Sequence, residues 1–187
     1  KIPEKLLIPS HFVNAMRELY NYERKYDEVI LLADRVLSNE KYLDKKIVKE
    51  IRYWLCLSLA RKKDSRLTIE VMKINGADHN FLLGFYYRMT GRFNEALIKF
   101  NEVREMSPNF YRAKRELIQV YLNTEDYDSA YALSKETYHI DKNNPYNLQS
   151  YFRCLLKLEG KSATDKLLEL INNLSTNLSE KSDEMYR

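Results

Sequence analysis

Three histidines, two cysteines and a dense run of lysine and arginine are the residues of this chain whose types could do chemistry. His11, His79 and His139 could serve as metal ligands or proton carriers. They are scattered, with no His-x3-His pair and no carboxylate at metal-binding spacing. His139 falls near the end of a predicted helix, where a cation favours the helix dipole. Cys56 and Cys154 lie far apart without a CxxC pattern, so neither a disulfide framework nor a zinc site is expected; both read as small buried hydrophobes. There is no glycine-rich phosphate loop and no nucleophile elbow. The expectation is a non-enzymatic chain with no cofactor and no metal. The sequons at Asn173 and Asn177 carry no weight without a secretory signal.

Charge is the remaining chemistry. The formal net charge is +4, but residues 45–76 hold nine Lys or Arg against Glu50, Asp64 and Glu70, a local excess of six, while the rest of the chain is slightly acidic. Lys45, Lys49 and Arg52 follow four- and three-residue steps that would line them along one helical stripe, opposite Ile47, Ile51 and Trp54. Arg61, Lys62, Lys63 and Arg66 cluster at the turn that follows. A solvated helix face explains such a pattern, and so does a docking patch for an acidic partner. The small net charge and the lack of an aromatic-basic recognition motif disfavour nucleic acid.

Something must position these residues, and composition says that it is helical. Four glycines and four prolines stand against 15 tyrosines in 187 residues, which suits long helices with bulky wedges better than a turn-rich sheet. No apolar run approaches the ~20 residues that span a bilayer. Without a signal-peptide pattern or a disulfide framework, a soluble chain in the reducing cytoplasm is expected. Because the chain opens on Lys1, it reads as a segment of a longer protein.

The helices repeat. Leu83, Gly84, Tyr87, Gly91, Ala96, Phe100 and Pro108 form a spaced set, and Leu117, Tyr121, Tyr127 and Ala130 return much of it 34 residues later. Helix axes approach closely only where neither side chain fills the crossing, which gives Gly84 and Ala96 their role and makes Gly84→Leu disruptive. The second copy is looser, with Ile118 in the glycine's place, Ser134 for Phe100 and Lys142 for Pro108. Asp141 to Pro145 predicts a turn built on local side-chain acceptors, with a proline opening the next helix. Upstream, Val13, Met16, Tyr20, Tyr26, Val29 and Ala33 keep the spacing, with Arg17 in the small-residue slot.

This pattern resembles the tetratricopeptide repeat family. The resemblance implies an all-α, right-handed α-α superhelix of about five antiparallel helix pairs in a single domain. The repeats would be 10–43, 49–76 (shortened, closed early by Gly76), 77–110, 111–144 and 145–178, with 179–187 as a polar tail. Such a solenoid works by surface, so the family implies a protein-binding scaffold that takes a peptide or protein partner in its concave groove.

By the family's register, the groove would be lined by Asp78, Phe81, Phe85, Arg88 and Met89, then Arg112, Arg115 and Gln119, then Tyr146, Gln149, Arg153 and Lys157. Arginines over an aromatic floor suit a peptide bearing carboxylates and apolar anchors, although an aromatic stripe serves equally well as core. One subclass grips a chaperone's terminal carboxylate with lysine and asparagine. Phe81 and Phe85 occupy those places here, and Asn14 with Glu18, or Arg115 with Gln119, fit no better. Two other readings accompany the scaffold: a regulatory or sensor segment of a larger signalling or defence protein, with an NTPase or effector domain outside this chain, and self-association through an edge repeat.

Overall fold

A computed structural model describes residues 9–74, 76–169 and 171–172. Helix α1 (Pro9–Glu18) runs into a wider π-helical turn (Leu19–Glu23), followed by α2 (Tyr26–Leu37) and a 3-10 turn (Glu40–Tyr42). Next come α3 (Lys45–Lys62) and the short α4 (Leu67–Glu70), which tightens into a 3-10 turn (Val71–Lys73). Then follow α5 (Ala77–Met89), α6 (Phe93–Asn101), α7 (Phe110–Asn123), α8 (Tyr127–Ile140) and α9 (Pro145–Glu159). Among the described residues there is no strand, and no helix is long and apolar enough to cross a membrane. Residues 173–178 of the last predicted repeat and the predicted tail 179–187 lie outside the described residues.

The helix-to-helix turns repeat in backbone although not in sequence. Arg24 (φ 54°), Gly91 (φ 80°) and Glu125 (φ 60°) all take the left-handed conformation. Each is followed by a residue at nearly the same angles: Lys25 at −86°/68°, Arg92 at −84°/68° and Asp126 at −80°/74°. Each of those precedes a helix opening on an aromatic ring, Tyr26, Phe93 or Tyr127. The left-handed residue lets a trailing N–H reach back to a carbonyl of the finished helix, as Arg92 does to Tyr87 at 2.8 Å and Asp126 to Tyr121 at 2.9 Å. Only one of the three positions is glycine, so the turn is dictated by the pairing on either side of it.

The chain divides into two compact units, residues 1–116 and 117–187, with α7 beginning in the first and ending in the second. In the first unit, α2 packs on α3, α5 on α6, and the leading helices α1, α3 and α5 pack in succession. Its core includes Met16, Val29, Ile51, Leu55, Leu59, Leu67, Ile74, Phe81 and Phe100. Gly84 sits at a close crossing: a Cβ there would lie 2.8 Å from two carbons of the Phe100 ring. Phe100, more than Ala96, is therefore what the missing side chain admits. Helix α6 is shorter than its spacing predicts. It stops at Asn101 rather than running to Ser107 and Pro108, because Val103 donates to the Phe100 carbonyl at 3.1 Å, a three-residue step that tightens the chain out of the α-helix.

In the second unit α8 packs on α9 around Ile118, Leu122, Ala130 and Cys154, with Tyr121, Tyr127, Tyr131 and Leu133 against them. Tyr138 and Tyr151 stack with centroids 5.1 Å apart, and burial raises the Tyr151 pKa. The predicted turn before α9 forms: Asn144 Oδ1 accepts the Tyr146 and Asn147 N–H groups, and Pro145 opens the helix. Asn147 donates back to the Thr137 and Asp141 carbonyls, tying the start of α9 to the end of α8. Gly160 (φ 60°) then leads into a different connection, a 3-10 turn.

Candidate functional site

Helix α3 starts where the Asp44 carboxylate accepts the Lys46 N–H at 2.8 Å. From there, three- and four-residue steps set Lys46, Lys49, Glu50 and Tyr53 along one face. Helix α5 starts after Gly76, whose φ of 86° and ψ of −149° suit glycine alone, and this places Asp78 in its first turn. In the connection 102–109 that follows the early end of α6, Val103, Ser107 and Asn109 are buried while the residues between them are exposed. Arg112 then enters from the first turn of α7.

These parts enclose a cleft of about 420 Å³ lined by Lys46, Lys49, Glu50, Tyr53, Asp78, Pro108, Asn109 and Arg112. Asn109 is its hub. Its N–H donates to Ser107 Oγ, its Nδ2 donates to Asp78 Oδ1 at 2.7 Å, and its Oδ1 accepts from Tyr53 at 3.0 Å and from Arg112 Nη1 at 3.1 Å. Arg112 Nη1 also donates to the Tyr53 hydroxyl. Lys49 Nζ lies 3.0 Å from Asp78 Oδ2, so both oxygens of that carboxylate are engaged. Burial pushes the Tyr53 pKa up to about 12, which keeps the hydroxyl protonated as a donor to Asn109. The Arg112 guanidinium stands over Phe81 at 4.8 Å and near Tyr53 at 5.9 Å, a cation held against two rings.

No family model, curated protein or solved structure matches this chain. What the site can do follows from its own residues. Arg112 makes no ion pair with any carboxylate among the described residues, and it is fixed by Tyr53, Asn109 and Phe81 rather than by an opposite charge. A preset guanidinium at the wall of an open cleft can bind an anionic group. Among the described residues, no group of three or more His, Cys, Asp or Glu could hold a metal ion.

The expected groove floor is corrected: Phe81 and Phe85 are only 1% and 2% exposed. They are stacked 6.2 Å apart and covered by the cations above them. Phe81 lies under Arg112, and Phe85 under Arg61 at 4.9 Å and Arg88 at 5.3 Å. Guanidinium groups therefore make the surface, and the rings are the core that supports them. Arg88 is further tied to Glu116. Arg115 is half-buried at the end of the first unit, and Met89 is half-buried as well. In the second unit, Arg153 donates to Gln119 at 2.7 Å, while Tyr146, Gln149 and Lys157 are exposed along α9.

The basic patch is corrected too. Arg52 is buried between Glu70, at 2.6 Å, and Glu40, so it does not continue the exposed stripe of Lys45 and Lys49. Lys62 pairs with Asp27, and Arg66 chelates Asp34 through both terminal nitrogens. Arg61 donates to the Tyr20 hydroxyl, and Lys63 is the left-handed cap of α3 (φ 57°). The acidic partners come from α2, the turn before α3 and α4, at sequence separations that helical spacing does not reveal.

Sequence reasoning passed over Tyr53 and Asn109, the two residues that orient Arg112. Tyr53 was within reach, four residues beyond Lys49 on the same stripe. Asn109 gave the weaker signal of an amide side chain just after Pro108 and just before a helix.

Proposed function

We propose that this chain is a non-enzymatic protein-interaction module built from tetratricopeptide-like helix pairs, and that the cleft between α3, α5 and α7 of its first unit takes a peptide or protein partner. The recurring left-handed turns at Arg24, Gly91 and Glu125, the Gly84 crossing and the packing of leading helix on leading helix support the repeat reading. Two unpaired, buried thiols fit a cytoplasmic setting.

The single observation that carries the binding role is Arg112. A half-buried guanidinium with no carboxylate partner among the described residues is costly to keep, and here it is held in place by a hydroxyl, an amide and an aromatic face. A partner's anionic group would complete it.

A photo-reactive amino acid in place of exposed Lys46, at the cleft, should cross-link a partner polypeptide in native lysate, and the same group at exposed Asn101 on α6 should not. Equal capture at both positions, or none at Lys46, would remove the cleft from the binding surface.

A further inference from the structure

We infer that the cleft recognises one acidic side chain, Asp or Glu, in the interior of a peptide segment, chelated by the Nε and Nη2 edge of Arg112. The inference rests on the binding role just proposed and adds the chemistry of the ligand. Nη1 is the nitrogen that Tyr53 and Asn109 occupy. Nε and Nη2 make no hydrogen bond within the described residues, and these two donors form the parallel fork that matches a carboxylate. The fork is pre-set, since Phe81 and Tyr53 hold the plane of the group and little rotamer freedom remains to be lost on binding.

The surrounding charge selects a monoanion. Asp78 is already saturated by Lys49 and Asn109, which leaves Arg112 and exposed Lys46 as the cations of the cleft with no carboxylate partner among the described residues. Glu50, exposed and likewise without an ion pair among the described residues, stands on the same wall. A phosphorylated side chain would set a second negative charge against Glu50, whereas a carboxylate uses the Arg112 fork without that cost. An internal side chain also fits better than a chain terminus. One route to a terminal carboxylate, a nest of backbone N–H groups, is closed at this cleft, where the donors are side chains and the Asn109 N–H is engaged by Ser107 Oγ; the lysine-and-asparagine pair that grips a chain terminus is also missing, since Lys49 is tied to Asp78. The volume of about 420 Å³ leaves room for chain on both sides of the acidic residue.

Random peptides displayed on phage, in which no free C-terminus is offered, would be selected against the whole 187-residue chain. Binders would then be remade with acetylated and amidated ends and measured by fluorescence polarisation. The expected result is a shared Asp or Glu whose change to Asn or Gln weakens binding about tenfold or more. R112K, which keeps the charge but loses the fork, should cost about as much, and K46E, at an exposed position that cannot disturb the core, should weaken binding several-fold. Thermal melting checks that R112K is folded. If K46E weakens binding while R112K and the amide peptides do not, the cleft binds peptide by another contact and the carboxylate inference is overturned. Tighter binding of a phosphoserine replacement also overturns it. Failure to select any binder, or binders indifferent to both R112K and K46E, overturns the cleft reading together with the inference.

Discussion

Gly84 shows how one atom sets the spacing of a helix pair. Alanine there would place its Cβ 2.8 Å from ring carbons of buried Phe100. Overpacking of this kind costs about 1–3 kcal/mol, against which alanine regains about 1 kcal/mol of helix propensity. G84A should therefore lower stability by on the order of 1 kcal/mol in urea unfolding, and the loss should shrink in an F100L background where the ring no longer obstructs. In the second copy the equivalent places hold larger Ile118 and smaller Ser134, both fully buried. Cys56 tests burial at the same scale. Desolvation raises its pKa from 9.0 to about 12. Because the folded value is the higher one, its contribution to stability is complete below about pH 9 and is lost as pH climbs toward 12. Native protein at pH 8 should leave Cys56 unreactive toward a thiol reagent, and C56A should lose less stability than wild type between pH 9 and 11.

The helix-to-helix turn is the element that the fold repeats most faithfully. Gly91 at φ 80° and Glu125 at φ 60° are the same turn, one with a residue suited to it and one without. G91A should destabilise by about 1 kcal/mol and E125G should stabilise by about 0.5 kcal/mol, since left-handed backbone strains any residue with a Cβ. Thermal denaturation of the two variants reads both signs; a loss for E125G would mean that the turn is held by the Glu125 side chain. Helix α6 adds a lesson about boundaries. Its apolar spacing runs on through Val103, which is indeed buried, but the backbone leaves the α-helix after Asn101. That departure carries Asn109 into the cleft. Apolar periodicity reports which side chains are inside and does not distinguish a helix from a tighter turn that buries the same residue.

For the whole molecule, charge is the property most changed by folding. The local excess of six over residues 45–76 suggests a cationic surface, yet Lys49, Arg52, Lys62, Arg66 and Lys73 each face a carboxylate of the fold. The chain should elute from a heparin column near or below about 0.15 M salt, where screening already acts over about 8 Å; firm retention far above that would restore polyanion binding. Helix content, the need for a small residue at Gly84 and the turn at Asp141–Pro145 were legible in the sequence, because each depends on residues a few positions apart whose side chains share one face or one turn; that Phe100 rather than Ala96 fills the space beside Gly84 was not. The site was legible only in part. Arg112 was singled out, but its anchors Tyr53 and Asn109 stand 59 and 3 residues away from it, and Asp34, Asp27 and Glu40 reach the basic cluster from other elements. By itself the sequence determined the local periodicities and hence the all-α class. Only the tertiary structure decided which cations are spent on internal partners and which one faces a cleft with its fork open, because an ion pair is set by distances through space, and those exist only once the helices have packed.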